Sequence, residues 1–178
     1  GYNVEEESFN VEMEKQKQRA RESRGDLQSM SSQMIDLMNF KEPSTFTYEL
    51  DDINAKVIAI FKDGVKVDYL DEEGEVIFDK TNFYALSGGQ VADNGTIENN
   101  DTLAEIYDVI KAVNKQNLHF VKIKYGRIQV GDTFTLKINQ ERRMKITRNH
   151  SCAHLLQSAL QIVLGDDIHQ EGSFNGED

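Results

Sequence analysis

The chain has 178 residues, of which 38% are hydrophobic and 29% are charged, and its formal net charge is −11. This length suits one domain, or one domain and part of a second, with enough hydrophobic residues for a core. A single cysteine excludes a disulfide framework, and without a signal-like segment the chain is expected to be cytoplasmic. No hydrophobic run reaches the roughly 20 residues of a transmembrane helix, so no membrane partner is expected.

Two helical patterns open the chain. Residues 3–24 begin with acidic side chains and end with basic ones, which is the charge order that a helix dipole favours. Hydrophobic residues then recur at helical spacing over 27–38, and Pro43 limits this second helix. The sequence therefore predicts a helical segment over 1–43, lying outside the domain that follows.

From Ser44 the hydrophobic period changes to two residues, which is the pattern of β-strands. Polar turns separate the predicted strands, which are 46–50, 55–61, 65–69, 75–79, 106–113, 118–124 and 133–139. Six or seven short strands with tight turns predict a small antiparallel β-barrel over residues 44–140. The run Asp93-Asn94-Gly95-Thr96 is interpreted as a hairpin turn.

The pattern becomes helical again near Met144. A helix is predicted over roughly residues 149–164, and Gly165 is expected to end it. The predicted fold class is thus α+β and mainly β: helical segment, barrel, and the beginning of a further α+β unit over 141–178.

A histidine pair lies at the start of this last helix. His150 and His154 are four residues apart, so in a helix they share one face with Cβ atoms about 5–6 Å apart. Such a pair is half of a tetrahedral zinc site, which needs four donors. Cys152 points away from that face, and the spacing of His119 and His169 does not require them to join. Spacing alone allows two interpretations: a zinc site, or a helix whose histidines only cap a core.

The charge of the chain is unevenly distributed. Residues 111–148 contain 10 basic and 2 acidic side chains, although the whole chain is acidic. Such a block is typical of a surface that contacts phosphate, whereas single lysines such as Lys122 and Lys124 are more simply outward-facing strand residues. Phosphate contact and plain solubility are both open for the cluster before the histidine pair, Arg142, Arg143, Lys145 and Arg148.

A glycine-rich loop lies inside the predicted barrel. In Ser87-Gly88-Gly89-Gln90 the two glycines allow the backbone to approach a ligand closely, with a hydroxyl and an amide beside them. A plain turn is the alternative interpretation.

Two stretches, 79–97 and 148–156, together resemble the editing region of alanyl-tRNA synthetases, which also occurs in free-standing alanyl-tRNA deacylases. Residues 163–165 and 169–173 are similar to the same family. Residues 16–21 look like the segment that precedes editing in the synthetases, which favours a synthetase.

The resemblance implies a zinc-dependent editing core that begins in residues 141–178. His150 and His154 would bind the zinc, and a Cys-x-x-x-His pair expected beyond Asp178 would complete the site. Cys152, which stands where the family has a small residue, is expected to pack rather than to coordinate.

For substrate binding, the resemblance implies that Gln90 and the backbone of Gly88 and Gly89 position the aminoacyl end, with Ser87 and Thr96 lining the pocket. The family usually has Glu where Leu86 stands, and a leucine side chain can neither transfer a proton nor form a hydrogen bond.

The implied activity is that of an alanine–tRNA ligase with an editing hydrolase. The ligase would join alanine to tRNA(Ala) with ATP and Mg²⁺, in a catalytic domain expected upstream of Gly1. The editing site would hydrolyse Ser-tRNA(Ala) and Gly-tRNA(Ala), because one methylene gives only about 1–3 kcal/mol of discrimination. Zinc would either activate water or hold the substrate. The four basic residues would face tRNA(Ala), no obligatory protein partner is evident, and this chain alone is expected to be inactive.

Two other classes remain open. A non-catalytic barrel could dock tRNA or a protein partner, and it would have no need of zinc. An unrelated zinc hydrolase is the third class, but Ser151 stands where the metalloprotease pattern places its glutamate base.

Overall fold

The computed structural model describes residues 35–165, 167–169 and 176. The helix predicted over 3–24 and most of the helix predicted over 27–38 lie outside these residues. Helix α1, Ile35–Asn39, is the described part of the second pattern.

The described residues form short strands followed by one long helix. In chain order the elements after α1 are β1 Thr45–Phe46, β2 Ile53–Lys62, β3 Val65–Val67, β4 Tyr69–Leu70, β5 Glu73–Phe78, β6 Lys80–Thr81, β7 Gly95–Glu98, β8 Leu103–Lys111, β9 Asn117–Tyr125, β10 Ile128–Gln129, β11 Thr133–Ile138 and α2 Gln140–Leu164.

Six of these strands close into an antiparallel barrel in the order β2-β5-β9-β8-β7-β11, because β11 pairs back onto β2. The short strand β3 pairs antiparallel with the end of β2, outside the closed ring. The predicted mainly-β fold with a small antiparallel barrel is therefore confirmed. The limits of the domains stay a prediction.

The burial of β2 shows why the barrel holds together. Its first half alternates between buried and exposed residues, and its second half, 57–61, is buried throughout. One side of the strand faces the barrel core, while Ile58, Ala59 and Phe61 join a second cluster beneath α1 with Leu37 and other residues. A strand covered on both faces is expected to be hydrophobic at consecutive positions.

Two strand predictions were wrong in detail. The predicted strand 46–50 is reduced to β1, which pairs in parallel with β6 outside the barrel, where the Thr45 amide donates to the Asp79 carbonyl. Gly95–Glu98, half of it interpreted as a turn, is the barrel strand β7.

Helix α2 begins nine residues before its predicted start. The Asn139 side chain caps it by accepting a hydrogen bond from the Arg142 amide at 3.1 Å, a capping role for which asparagine is among the preferred residues. The helix ends at Leu164 as predicted, where Gly165 has a φ of 107° that favours glycine. No helix among the described residues is long and apolar enough to cross a membrane.

Candidate functional site

The glycine-rich loop is a tight turn. Ser87 and Gln90 bond to each other through their backbones in both directions, at 3.2 and 3.0 Å. Gly88 and Gly89 have φ values of 58° and 78°, as the two central residues of a hairpin turn often do. A Cβ added to Gly88 would meet nothing within 4 Å, so its backbone conformation, rather than crowding, favours glycine there.

The segment 82–94 that carries this turn is fastened to the start of α2. Arg143 donates from Nε to both carboxylate oxygens of Asp93, at 2.8 and 2.9 Å, and its Nη2 contacts the same carboxylate. Nη2 also donates to the Asn82 carbonyl at 2.9 Å, and the Tyr84 amide donates to Asp93 at 2.7 Å. We call the Asp93–Arg143 pair the clamp.

Two further contacts reinforce the clamp. Arg142 donates from Nη1 to the Ala92 carbonyl at 2.6 Å, and the Asn139 amide donates to the Asn94 carbonyl at 2.8 Å. Both ends of the turn-bearing segment are therefore bonded to the first turn of the helix.

The histidine pair lies further along the same helix face. His150 follows Arg143 by seven residues, which is roughly two helical turns. The Nε2 atoms of His150 and His154 are 2.8 Å apart, and their ring centroids are 4.7 Å apart. Two imidazoles bound to one tetrahedral zinc would hold their nitrogens about 3.3 Å apart, from Zn–N bonds of about 2.0–2.1 Å. The observed Nε2 separation is about 0.5 Å shorter, so a small side-chain movement would let the pair occupy two of the four positions of a zinc site.

Within the described residues, no third His, Cys, Asp or Glu completes a metal-binding group with these histidines. His169 and Cys152 are both exposed. Cys152 was expected to pack, but its position on α2 leaves it on the surface of the described structure.

Thr96 lies on a strand of the barrel and not in the glycine turn. It is on β7, in register with Glu105 and Lys137. Its side chain shares the face of Glu98, which bonds to Lys137 at 2.6 Å, because alternate residues of a strand point the same way. Thr96 is therefore on the outer side of the barrel, opposite the buried Ile97. Leu86 is exposed and is held by its amide, which donates to the Val109 carbonyl at 3.0 Å.

The basic cluster divides into buried and exposed members. Arg143 was predicted to contact tRNA, but its residue is only 6% exposed and its guanidinium belongs to the clamp, so it is not on the surface. Arg142 is half-buried against Ala92. Lys145, which bonds to Glu141 at 3.0 Å, and Arg148 are exposed.

The lysines on the strands are paired with acidic neighbours. Lys122 bonds to Glu73 at 2.5 Å, and Lys124 bonds to Glu105 at 2.6 Å. Part of the basic block is therefore an outward strand face balanced by carboxylates.

An open groove of about 640 Å³ lies along the acidic strand β5 and its neighbours. Its lining includes Glu72, Glu73 and Glu75. Burial, and then the negative charge of Asp63, raise the pKa of the Glu75 carboxyl. A groove of this charge does not suit phosphate.

His119, which the sequence pattern did not single out, is fully buried in the barrel. Its Nδ1–H donates to the Val76 carbonyl at 3.0 Å, because a carbonyl can only accept. The Thr81 hydroxyl lies 2.8 Å from Nε2 and donates to it, while accepting from the Phe83 amide at 3.1 Å. Desolvation lowers the pKa of His119 to about 4, so the ring is neutral at pH 7.

We expect the stability of the chain to fall as the pH drops from about 6.5 towards 4, partly because of His119. The unfolded chain binds a proton near pH 6.5, whereas the folded chain resists it until about pH 4, so acid favours unfolding by about 3 kcal/mol at full effect. Urea unfolding at several pH values should show this loss in the parent chain and a smaller one in His119→Leu. Equal pH dependence in both proteins would contradict the assignment.

Comparison with known proteins identifies the family of this chain. The family model described as "tRNA synthetases class II (A)" matches residues 1–142. The chain is 46% identical over 177 residues to the alanine–tRNA ligase of Lactobacillus johnsonii, covering 97% of this chain and 20% of the relative. The chain belongs to the alanine–tRNA ligase family.

Other members of the family give the same picture. The alanine–tRNA ligase of Lactobacillus gasseri is 47% identical over 177 residues, and that of Listeria monocytogenes serotype 4b is 41% identical over 176 residues. Each match covers 97% of this chain and 20% of the relative. The chain therefore spans about a fifth of the length of the alanine–tRNA ligases it matches.

Proposed function

We propose that this chain is part of the editing region of an alanine–tRNA ligase, which hydrolyses Ser-tRNA(Ala) and Gly-tRNA(Ala). The observation that supports this most is the clamp. One buried ion pair joins the segment of the Ser87–Gln90 turn to the helix of the histidine pair. The two stretches that resemble the editing region, distant in sequence, are thus fixed to each other.

In this proposal the chain's own residues bind and orient the substrate. The Gln90 side chain and the backbone of Gly88 and Gly89 hold the aminoacyl end. Ser87, in the same turn, lines the substrate pocket. His150 and His154 would hold a zinc ion, which when bound either activates water or holds the substrate. The position of Thr96 on the outer barrel face gives it less support as a pocket residue.

The aminoacylation reaction is proposed for the ligase as a whole. Joining alanine to tRNA(Ala) would use ATP and Mg²⁺, in parts of the ligase outside the fifth that this chain spans. Editing is then needed because size selection rejects serine and glycine only weakly.

Replacing Gln90 in such a ligase tests the editing proposal. Gln90→Ala should slow the hydrolysis of Ser-tRNA(Ala) by on the order of a hundredfold, because one positioning hydrogen bond is lost at the reacting group. The turn itself should survive, since Gln90 closes it through backbone atoms. The formation of Ala-tRNA(Ala) should be unchanged. Both rates are measured with purified tRNA(Ala).

Gln129→Ala is the matched control, because Gln129 lies exposed on β10, a short strand outside the closed ring. It should leave both rates unchanged. Unchanged hydrolysis in Gln90→Ala would contradict the proposed role of this turn.

The exposed basic residues of α2 are proposed to face the tRNA. Replacing Lys145 and Arg148 together by alanine should weaken tRNA(Ala) binding and reduce the slope of log K against log salt by roughly 1–2, since up to two fewer counterions are released. Lys122→Ala is the control, because Lys122 lies on the strand β9 rather than on α2 and lines the acidic groove, paired with Glu73. A slope equal to that of the parent protein would count against phosphate contact by these residues.

A non-catalytic docking module is the second candidate. The second half of α2 supports it, because several large hydrophobic side chains there are exposed in the described structure: Leu155, Leu156, Ile162, Val163 and Leu164. Such a module would bind tRNA or a protein equally well after Gln90→Ala, and no hydrolysis would be measured.

A further inference from the structure

A small pocket opens beside the Ser87–Gln90 turn, with a volume of about 230 Å³. It lies where β1, the segment after β6 and the end of the β8–β9 hairpin meet. Its lining includes three aromatic rings and three polar side chains: Phe46, Tyr48, Tyr84, Ser87, Lys111 and Asn117. The pocket is smaller than the roughly 300–1,000 Å³ of drug-sized sites, so it suits one small planar group.

The aromatic rings form a connected wall. The Phe46 ring centroid is 4.8 Å from that of Tyr48 and 6.0 Å from that of Tyr84, in edge-to-face arrangements. Tyr48 is nevertheless 79% exposed, although its ring contacts Phe46. An exposed ring at the mouth of an aromatic pocket offers its face for stacking, which is how proteins hold unpaired bases.

The polar side of the pocket contains an unsatisfied group. Asn117 is only 2% exposed, and its Oδ1 has no hydrogen-bond partner among the described residues. Buried acceptors without a partner are uncommon in folded proteins. Lys111 is paired with Asn117 in the β8–β9 register, so an ammonium group and the amide lie at the same end of the hairpin.

We propose that this pocket binds one unpaired nucleotide, with the base stacked on Tyr48, Asn117 bonded to an amino group of the base, and Lys111 near the phosphate. An asparagine amide pairs well with the amino group and ring nitrogen of adenine, so adenine should be the preferred base. In the cell the nucleotide would belong to single-stranded RNA. This part of the proposal rests on the proposed tRNA partner. The binding itself depends on neither zinc nor hydrolysis.

Titration of the 178-residue chain with adenosine 5′-monophosphate, followed by NMR of the tyrosine rings, tests this site. Tyr48→Ala should weaken binding at least about tenfold, because base stacking is lost. Tyr125→Ala is the matched control, since this tyrosine is also exposed, at 57%, but lies outside the pocket, and it should bind as the parent does. Lys111→Ala should weaken binding of the monophosphate but not of adenosine.

The amide contact is tested on the ligand as well as on the protein. Purine riboside, which lacks the amino group, should bind the parent chain several-fold more weakly than adenosine does. In Asn117→Leu, checked for folding by circular dichroism, the two nucleosides should bind equally.

No binding of adenosine monophosphate, or binding that Tyr48→Ala leaves unchanged, would overturn the proposed nucleotide site. Because the titration involves neither a metal nor hydrolysis, that result would not count against the editing proposal, which the hydrolysis assay tests. Conversely, a ligase that fails to hydrolyse Ser-tRNA(Ala) would contradict the editing proposal but not the nucleotide site.

Discussion

Asp93→Ala is expected to lower the free energy of unfolding of the chain by about 3–5 kcal/mol, because it leaves the buried Arg143 guanidinium without its carboxylate. The substitution also removes the acceptor of the Tyr84 amide. Domains of this size have a free energy of unfolding of about 5–15 kcal/mol, so losing the clamp would remove a large part of the stability. Urea unfolding at pH 7 measures the loss.

Two controls separate the clamp from general effects of charge. Glu141→Ala removes the carboxylate that pairs with Lys145 on the exposed side of the same helix, and it should change the stability little. The double substitution Asp93→Leu with Arg143→Met should recover much of the loss, since replacing both charges leaves neither one buried alone. A loss in Asp93→Ala no larger than in Glu141→Ala would contradict the structural role of the clamp.

The clamp should also matter for editing. In a ligase that remains folded at low temperature, Asp93→Ala should impair hydrolysis of Ser-tRNA(Ala) more than formation of Ala-tRNA(Ala). The segment 82–94 would no longer be held against α2, so the turn and the histidine pair would lose their fixed separation.

The barrel was predictable because its signal is local. Alternation of buried and exposed residues in β8 and β11 follows directly from the two-residue period of a strand. The end of α2 at Gly165 was predictable for the same reason, since a glycine after a helical pattern often ends the helix, and Gly165 does so with a positive φ of 107°.

The strand β7 was missed because the residues just before it make distant contacts. Asp93 and Asn94, which look like turn residues, bond instead to Arg143 and to the Asn139 amide. Gly95 is required by close packing, because a Cβ there would lie 2.0 Å from the Lys137 carbonyl oxygen. No local pattern carries that information.

The buried position of Arg143 could not be predicted from the sequence either. Among four basic residues of one cluster, nothing local distinguishes the one that pairs with a carboxylate 50 positions away. A signal did exist in Asn139, which ends a strand pattern and is a preferred N-cap residue. Starting the helix there would have placed Arg143 on the face of His150.

The second large effect concerns zinc. The chain contains two histidines that fit half of a zinc site, and two neutral imidazoles alone hold zinc weakly, because a stable site uses four protein donors or three and a water. We expect the 178-residue chain to bind zinc poorly and not to hydrolyse Ser-tRNA(Ala) at a useful rate. A longer ligase with a Cys-x-x-x-His pair after this region should bind one zinc there and hydrolyse the ester.

Within the longer ligase, His150→Ala should abolish both zinc binding at this site and hydrolysis, while formation of Ala-tRNA(Ala) continues. Cys152→Ala is the matched control on the same helix, because Cys152 is exposed and belongs to no metal-binding group of the described residues. It should keep the zinc and the activity.

The most direct single measurement is the zinc content of the 178-residue chain and of the longer ligase, determined together with their rates of Ser-tRNA(Ala) hydrolysis. The expected result is little zinc and no useful hydrolysis for the chain, and one zinc at this site with rapid hydrolysis for the ligase, both lost in His150→Ala. Stoichiometric zinc and full hydrolysis by the 178-residue chain itself, or a His150→Ala ligase that keeps both, would contradict a zinc site shared between this chain and the rest of the ligase.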